Sequence, residues 1–297
     1  MNNVLTLVAP VATGLTKGIV AAVAAALTDR GAAISEPVWL AEDEACDIFF
    51  DRIDIAEARR ITATALADAA VDFAVQAIAH RRKRLLIADM DSTIVTGETL
   101  DELAEFAGFG KQVAAITERA MRGEILYRDA LAERVALLAG LDADNLEKTM
   151  AGVSLTDGAK TLVATMSANG AYTALVSGGF KFFTERVGQR VGFDMDMAST
   201  LEIVDGRLTG GLGEPIVTKH VKRATLLRLA DEHGVTIAET TAVGDGANDL
   251  PMVEAAGLGV AYRGKPILRD AADARIDHAD LTALLFFQGY ARDRFVN

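Results

Sequence analysis

A single cysteine, Cys46, among 297 residues leaves no partner for an internal disulfide and rules out a Cys-based zinc cluster. Histidine is almost as scarce: His80, His220, His233 and His278 are scattered without metal-ligand spacing and read as surface or loop residues. No apolar run reaches the roughly 18 residues of a membrane span. The Ala-rich N-terminus lacks a basic start and is interrupted by Pro10 and Lys17, so it does not read as a signal peptide. A reduced, cytoplasmic setting with no membrane partner is the expectation. Basic residues are outnumbered, 30 Lys and Arg against 42 Asp and Glu. The net charge of -12 argues against nonspecific binding to nucleic acid or anionic membrane. An anionic substrate would need a locally positive site, made by a metal ion or a few placed cations.

What is present is an ordinary globular composition, long enough for two domains. Residues 1–80 form one unit. "VLTLVAP" reads as a strand, Thr16 to Asp29 as a helix, "AAISEPVWLA" and "CDIFFDRI" as strands, "IAEARRITATALADAA" as a helix and "VDFAVQAI" as a last strand. That β-α-β-β-α-β order predicts a small α+β, ferredoxin-like domain, similar in element order to the ACT-like fold. The cluster "HRRKR", His80 to Arg84, reads as a solvated linker and places the boundary there. Residues 81–297 follow a different rule: short β-rich runs end in polar turns and are separated by helical patterns, as in a doubly wound, largely parallel α/β sheet. About 96–152, apolar residues at helical spacing (Leu100, Leu103, Ala104; Leu131, Val135, Leu138) predict an inserted helical cap over the strand ends.

Ligands in such sheets bind at the carboxyl ends of strands, and three polar turns fall there. In "LLIADMDSTIV", Asp89 and Asp91 stand two apart; if strand geometry persists, both face one way and call for a hard divalent ion such as Mg²⁺. Alone, the pair reads equally well as a turn. "LVSGGF" sets the Ser177 hydroxyl before Gly178 and Gly179, suited to cradling an anion or simply to starting a helix. "AVGDGANDLPM" brings Asp245, Asn248 and Asp249 into one Gly-rich turn, and Lys222 lies on the helical stretch upstream. Together they fit phosphoryl transfer through an aspartyl-phosphate. A carboxylate is an ionised nucleophile at neutral pH, cations and N–H donors offset the moving charge, and a second carboxyl shuttles the proton.

"DMDST", "VSGG", the lysine of "VKRATL" and "GDGANDL", in this order, resemble the motifs of the haloacid dehalogenase superfamily and, in detail, its phosphoserine phosphatases, from about Leu85 to the region of Tyr262. The resemblance implies Asp89 as nucleophile and Asp91 as general acid/base. It implies Mg²⁺ held by Asp89, Asp245 and the backbone carbonyl of Asp91, with Asp249 as outer support. Ser177, the Gly178 N–H and Lys222 would hold the phosphoryl group, and Asn248 would contact the phosphate side of the substrate. In the cap, "GETL" and "ERV" resemble the segments that grip the amino acid, so Glu98 would pair with the α-ammonium and Arg134 with the α-carboxylate of O-phosphoserine. Tyr127 departs from the family, where Phe is more usual.

Two rivals stand beside a phosphoserine phosphatase of serine biosynthesis: a phosphatase for another small ester, and an amino-acid-binding regulator with an idle core. The N-terminal unit is left open between ligand sensing, a homodimer contact and stability.

Overall fold

In the computed structural model, residues 1–121 and 124–297 are described. The N-terminal unit comprises β1 (Asn3–Val8), α1 (Lys17–Asp29), β2 (Ala33–Ile34), β3 (Val38–Ala41), β4 (Ala45–Asp51), α2 (Ile55–Leu66) and β5 (Asp72–Ala77). Thr16 caps α1 by accepting from the Ile19 N–H, and Asp54 caps α2 by accepting from Glu57 N–H. The single strand expected over "AAISEPVWLA" is two, β2 and β3, separated at Glu36–Pro37, where proline withdraws a ladder N–H. Strand β1 lies between β4 and β5, antiparallel to both, and the two helices pack together on one face. This is the α+β sandwich expected.

The larger unit begins with β6 (Leu85–Ala88) and enters a block of four helices, α3 (Thr99–Phe106), α4 (Gly110–Met121), α5 (Tyr127–Ala136) and α6 (Asp144–Gly152). It returns through α7 (Ala159–Ala168), β7 (Tyr172–Phe180), α8 (Lys181–Val191) and a hairpin of β8 (Met195–Val204) and β9 (Arg207–Gly213). It closes with α9 (Lys219–Glu232), β10 (Thr240–Gly244), α10 (Leu250–Ala255), β11 (Gly259–Tyr262), α11 (Pro266–Ala271), β12 (Ala274–Ile276) and α12 (Ala283–Phe287). Strands β12, β11, β10, β6, β7 and β8 are hydrogen-bonded in that order and pair in parallel. From β6 the chain builds first toward β7 and later toward β10, so β6 marks the switch point where such sheets bind ligands. Its four residues are fully buried: Leu86 and Ala88 enter the apolar cluster on one face, Leu85 and Ile87 that on the other.

Two features escaped the sequence reading. The β8–β9 hairpin packs against α5, with Gly140 N–H donating to the Leu208 carbonyl at 2.8 Å, so the cap is helical plus a β-ribbon supplied from beyond β7. And the basic cluster is only in part the solvated linker expected: His80, Arg82 and Arg84 are exposed, but Arg81 and Lys83 are drawn in. Arg81 closes a two-point pair on buried Asp47 at 2.7 and 2.8 Å and donates to the Phe286 and Phe287 carbonyls. Lys83 is 4% exposed, donates from Nζ to the Ala238 carbonyl at 2.7 Å and has its pKa lowered by burial to about 8. Charges next to a domain junction are buried when carbonyls and carboxylates from both sides converge on them. The junction is continued by β5, which pairs antiparallel with β12 at Phe73 and Arg275, and by Asp72, whose carboxylate accepts from the backbone N–H groups of Asp277, His278 and Ala279.

Candidate active site

The chain leaves strand geometry directly after β6. Asp89 N–H still bonds the Val243 carbonyl of β10 at 3.0 Å, but Asp91 is extended and Ser92 is left-handed, with φ +54°. The same-face geometry expected of Asp89 and Asp91 is therefore lost: the kink turns the two carboxylates to different partners. Asp89 faces the sheet end, where Oδ1 lies 2.7 Å from Lys222 Nζ and also accepts from Met90 N–H, and Oδ2 accepts from Asn248 Nδ2 at 3.1 Å. Asp91 faces the cap: Oδ1 accepts from the Thr99 N–H at 3.0 Å, and Oδ2 lies 3.5 Å from Ser177 Oγ.

Strand β7 breaks register with β8 between Val176 and Phe180, which frees the Ser177–Gly179 backbone at the strand end. Ser177 Oγ accepts from Gly179 N–H at 2.9 Å. A Cβ on Gly178 would displace the Tyr127 hydroxyl, and one on Gly179 would lie 3.0 Å from Asp91 Oδ2, so the two glycines let these side chains approach the turn. Ser177 does not cap α8; Phe180 stands at that position.

Strand β10 delivers the third turn. Asp249 is fully buried; its Oδ1 lies 2.7 Å from Lys222 Nζ, and Oδ2 accepts from the Asp245 and Gly246 N–H groups. Oxygens of Asp89, Asp245 and Asp249 all lie within 4.8 Å of one another. Burial alone would lower the pKa of Lys222, but Asp249 and Asp89 raise it, so the ammonium persists at 1% exposure. Burial raises Asp249 and Asp245 above the usual carboxylate range. Of these three buried carboxylates only Asp89 and Asp249 touch the buried cation; the partner of Asp245 is the half-exposed Lys265 at 3.4 Å. This surplus of negative oxygen donors fits a hard divalent ion. Asp249 has both oxygens already engaged, while Asp89 and Asp245 face the cavity.

That cavity, about 150 Å³, is floored by Asp89, Asp245, Asn248 and Ser177 to Gly179, and roofed by Glu98, Tyr127 and Arg134 of the cap. Glu98 Oε1 accepts from Ser92 Oγ at 2.7 Å, and burial raises its pKa. Arg134 makes only long contacts, to the Ala130 carbonyl at 3.3 Å and Thr117 Oγ1 at 3.4 Å; among the described residues its guanidinium has no carboxylate partner. Tyr127 Oη donates to the Gly178 carbonyl at 3.3 Å, joining cap to floor. Asp91 has its pKa pushed up to about 7, first by burial and then by Glu98 and Asp89. A protonatable carboxyl thus stands beside the Asp89 carboxyl that Lys222 holds, an arrangement suited to proton transfer next to a nucleophile. All ten residues expected at the site border the cavity or lie directly beneath it. Two further groups had no prior assignment: Lys265, in the turn after β11, and Thr99, whose N–H holds Asp91. A fourth polar turn after a β-rich run, "YRGKP", was the available signal for Lys265.

Residues 86–254 match the model of a family described as haloacid dehalogenase-like hydrolase. A phosphoserine phosphatase from Streptomyces coelicolor is 42% identical over 94% of this chain and 69% of its own length. One from Streptococcus thermophilus is 48% identical over 67% of this chain and 93% of its own length. The chain spans 60% and 55% of two other curated relatives. Among solved structures, a HAD family hydrolase from Salmonella enterica serovar Typhi superposes with a TM-score of 0.85 at 27% identity, covering 98% of both chains.

Proposed function

The chain belongs to the haloacid dehalogenase-like hydrolase family and is a phosphatase; from that premise we propose that it hydrolyses O-phospho-L-serine to L-serine and phosphate with Mg²⁺, as the last step of serine biosynthesis. The observation that carries the reading is the placement of the Arg134 guanidinium, which among the described residues has no carboxylate partner, and of Glu98 on the roof of a small cavity whose floor holds Asp89. A zwitterionic head group is matched by one cation and one anion on the cap, and the phosphoryl group by the floor.

In this mechanism Asp89 Oδ attacks phosphorus in line, and the serine alkoxide departs toward the cap, taking a proton from Asp91. The resulting aspartyl-phosphate on Asp89 is attacked by water, whose proton returns to Asp91. Lys222, Ser177 Oγ and the Gly178 N–H hold the phosphoryl oxygens, Asn248 steadies the reacting side, and Asp249 keeps Lys222 in place. Asp89, Asp245 and the Asp91 carbonyl would hold the ion, which supplies Lewis-acid charge neutralisation when bound. Tyr127 and Leu131 help exclude water.

The test is a phosphate-release screen over small phosphorylated metabolites with and without Mg²⁺, run on the unaltered protein and on Arg134→Ala. Arg134→Ala should lose at least ten-fold more kcat/KM for phosphoserine than for an aryl phosphate. Equal losses would shift the assignment to another small ester, and no release from any ester would favour a binding protein.

A further inference from the structure

A second cavity, about 350 Å³, opens beside the candidate site and shares Asp245 and Lys265 with it. Arg263, exposed on its wall, is held at φ +45°, a conformation that side-chain-bearing residues rarely adopt. The turn is pinned on both sides: Arg263 N–H donates to the Ile276 carbonyl at 2.9 Å, and Lys265 N–H to the Asp245 carbonyl at 2.8 Å. Between them, a Cβ on Gly264 would lie 3.0 Å from that of Ala261. The backbone therefore aims two cations outward from the end of β11 at a strained position, and strain is retained where surrounding structure imposes it. Neither cation is held in a close ion pair. Among the described residues Arg263 has no carboxylate partner and only faces the Tyr262 ring, 5.2 Å from its centroid. Lys265 has one long pair, to Asp245, and its side chain is 55% exposed.

We propose that Arg263 and Lys265 form a capture lane that draws phosphate dianions from solvent through the second cavity into the candidate site. Granted the reading above, the site has an electrostatic difficulty. Asp89, Asp91, Glu98 and Asp245 line its cavity in a chain of net charge -12, and the ligand is itself an anion. The charge of Lys222 is offset by Asp89 and Asp249, each 2.7 Å away, and Arg134 sits in the cap roof over the inner cavity. Arg263 and Lys265 are the cations on the wall of the outer cavity, offset there by Asp157 and by Asp245. A unit charge acting on a dianion at about 8 Å in water raises encounter and weak binding roughly five-fold. At physiological salt, where the screening length is about 8 Å, most of that is lost.

The test measures kcat/KM for phosphoserine and for an aryl phosphate at low (about 20 mM) and high (about 300 mM) ionic strength, at saturating Mg²⁺. Arg263→Gln, Lys265→Gln, the double variant and Lys265→Arg are compared with the unaltered protein. Capture predicts a roughly three-fold loss of kcat/KM at low salt for each Gln variant, more for the double, and, for Arg263→Gln, kcat within two-fold. The difference should shrink to under two-fold at high salt, with Lys265→Arg restoring the original slope. A salt-independent loss, a loss confined to kcat, or no loss overturns the proposal. So does a raised Mg²⁺ requirement with an unchanged salt slope, because Lys265 would then merely support Asp245. If the unaltered protein turns over the aryl phosphate but not phosphoserine, the substrate assignment fails and the capture test still reads out on the aryl phosphate.

Discussion

Replacing Lys222 by Met isolates the electrostatics on which the floor of the site depends. Lys222 Nζ lies 2.7 Å from both Asp89 and Asp249 in a region where all three side chains are buried. The substitution keeps apolar bulk but leaves Asp89, Asp245 and Asp249 without a buried counter-charge. Removing one member of a buried pair costs roughly 3–5 kcal/mol. With about 2–4 °C per kcal/mol for chains of this order, the melting temperature should fall by roughly 10 °C in EDTA. The sign of the pH dependence is equally specific. Burial already raises Asp249 above the usual carboxylate range, and losing the ammonium raises it further. The folded variant then holds protons that the unfolded chain, with carboxylates near 4, has released. Its stability must fall as pH rises from about 5 to 8, so the deficit against the unaltered protein is larger at pH 8 than at pH 5.5. Mg²⁺ should narrow that deficit by restoring positive charge among the same oxygens. Thermal unfolding followed by circular dichroism at both pH values, with EDTA or Mg²⁺, gives the four numbers needed. A melting temperature within 2 °C of the unaltered protein at pH 8 in EDTA, or a deficit that shrinks as pH rises, would refute the reasoning.

Asp89→Asn should abolish phosphate release while leaving the far-ultraviolet circular dichroism spectrum unchanged; normal turnover would remove the covalent mechanism. Asp91, with its pKa pushed up to about 7 by burial, is protonated below that value and can give its proton to an alkoxide. The rate of phosphoserine cleavage should therefore decline above about pH 7, and Asp91→Asn should cost about 10²–10⁴ in kcat. The loss should be much smaller for an aryl phosphate, whose leaving group needs no proton; equal loss for both esters would deny Asp91 the acid role. Arg81→Met breaks the two-point pair with Asp47 and the bonds to the Phe286 and Phe287 carbonyls. It should destabilise by roughly 3–5 kcal/mol in denaturant titration; a change under 1 kcal/mol would mean that the junction is held elsewhere.

Much of this protein was legible in one dimension because its chemistry is attached to strand ends. A short apolar run followed by a polar turn announces both a buried parallel strand and the place where its ligand groups emerge. Asp89, Ser177 and Asp245 could thus be placed together before any coordinates were known, and α/β alternation supplied the sheet. What stayed hidden depends on contacts between residues far apart. "HRRKR" looks like a solvated linker until Asp47, Ala238 and two carbonyls of α12 close around Arg81 and Lys83. The hairpin that completes the cap begins about sixty residues beyond the helix it packs against, and nothing local marks it. The D-x-D spacing suggested a shared face, whereas the left-handed Ser92 turns Asp91 toward the cap and separates the two carboxylates' roles. Lys222 could be chosen as a site residue from its motif, but its state could not: a helix lysine is solvated by default. Only the packed fold, by burying it between Asp89 and Asp249, makes it a fixed positive charge. Sequence decides which groups are available at each strand end; the tertiary structure decides their protonation, partners and exposure, because those depend on the dielectric and the charges that distant segments bring to within a few ångströms.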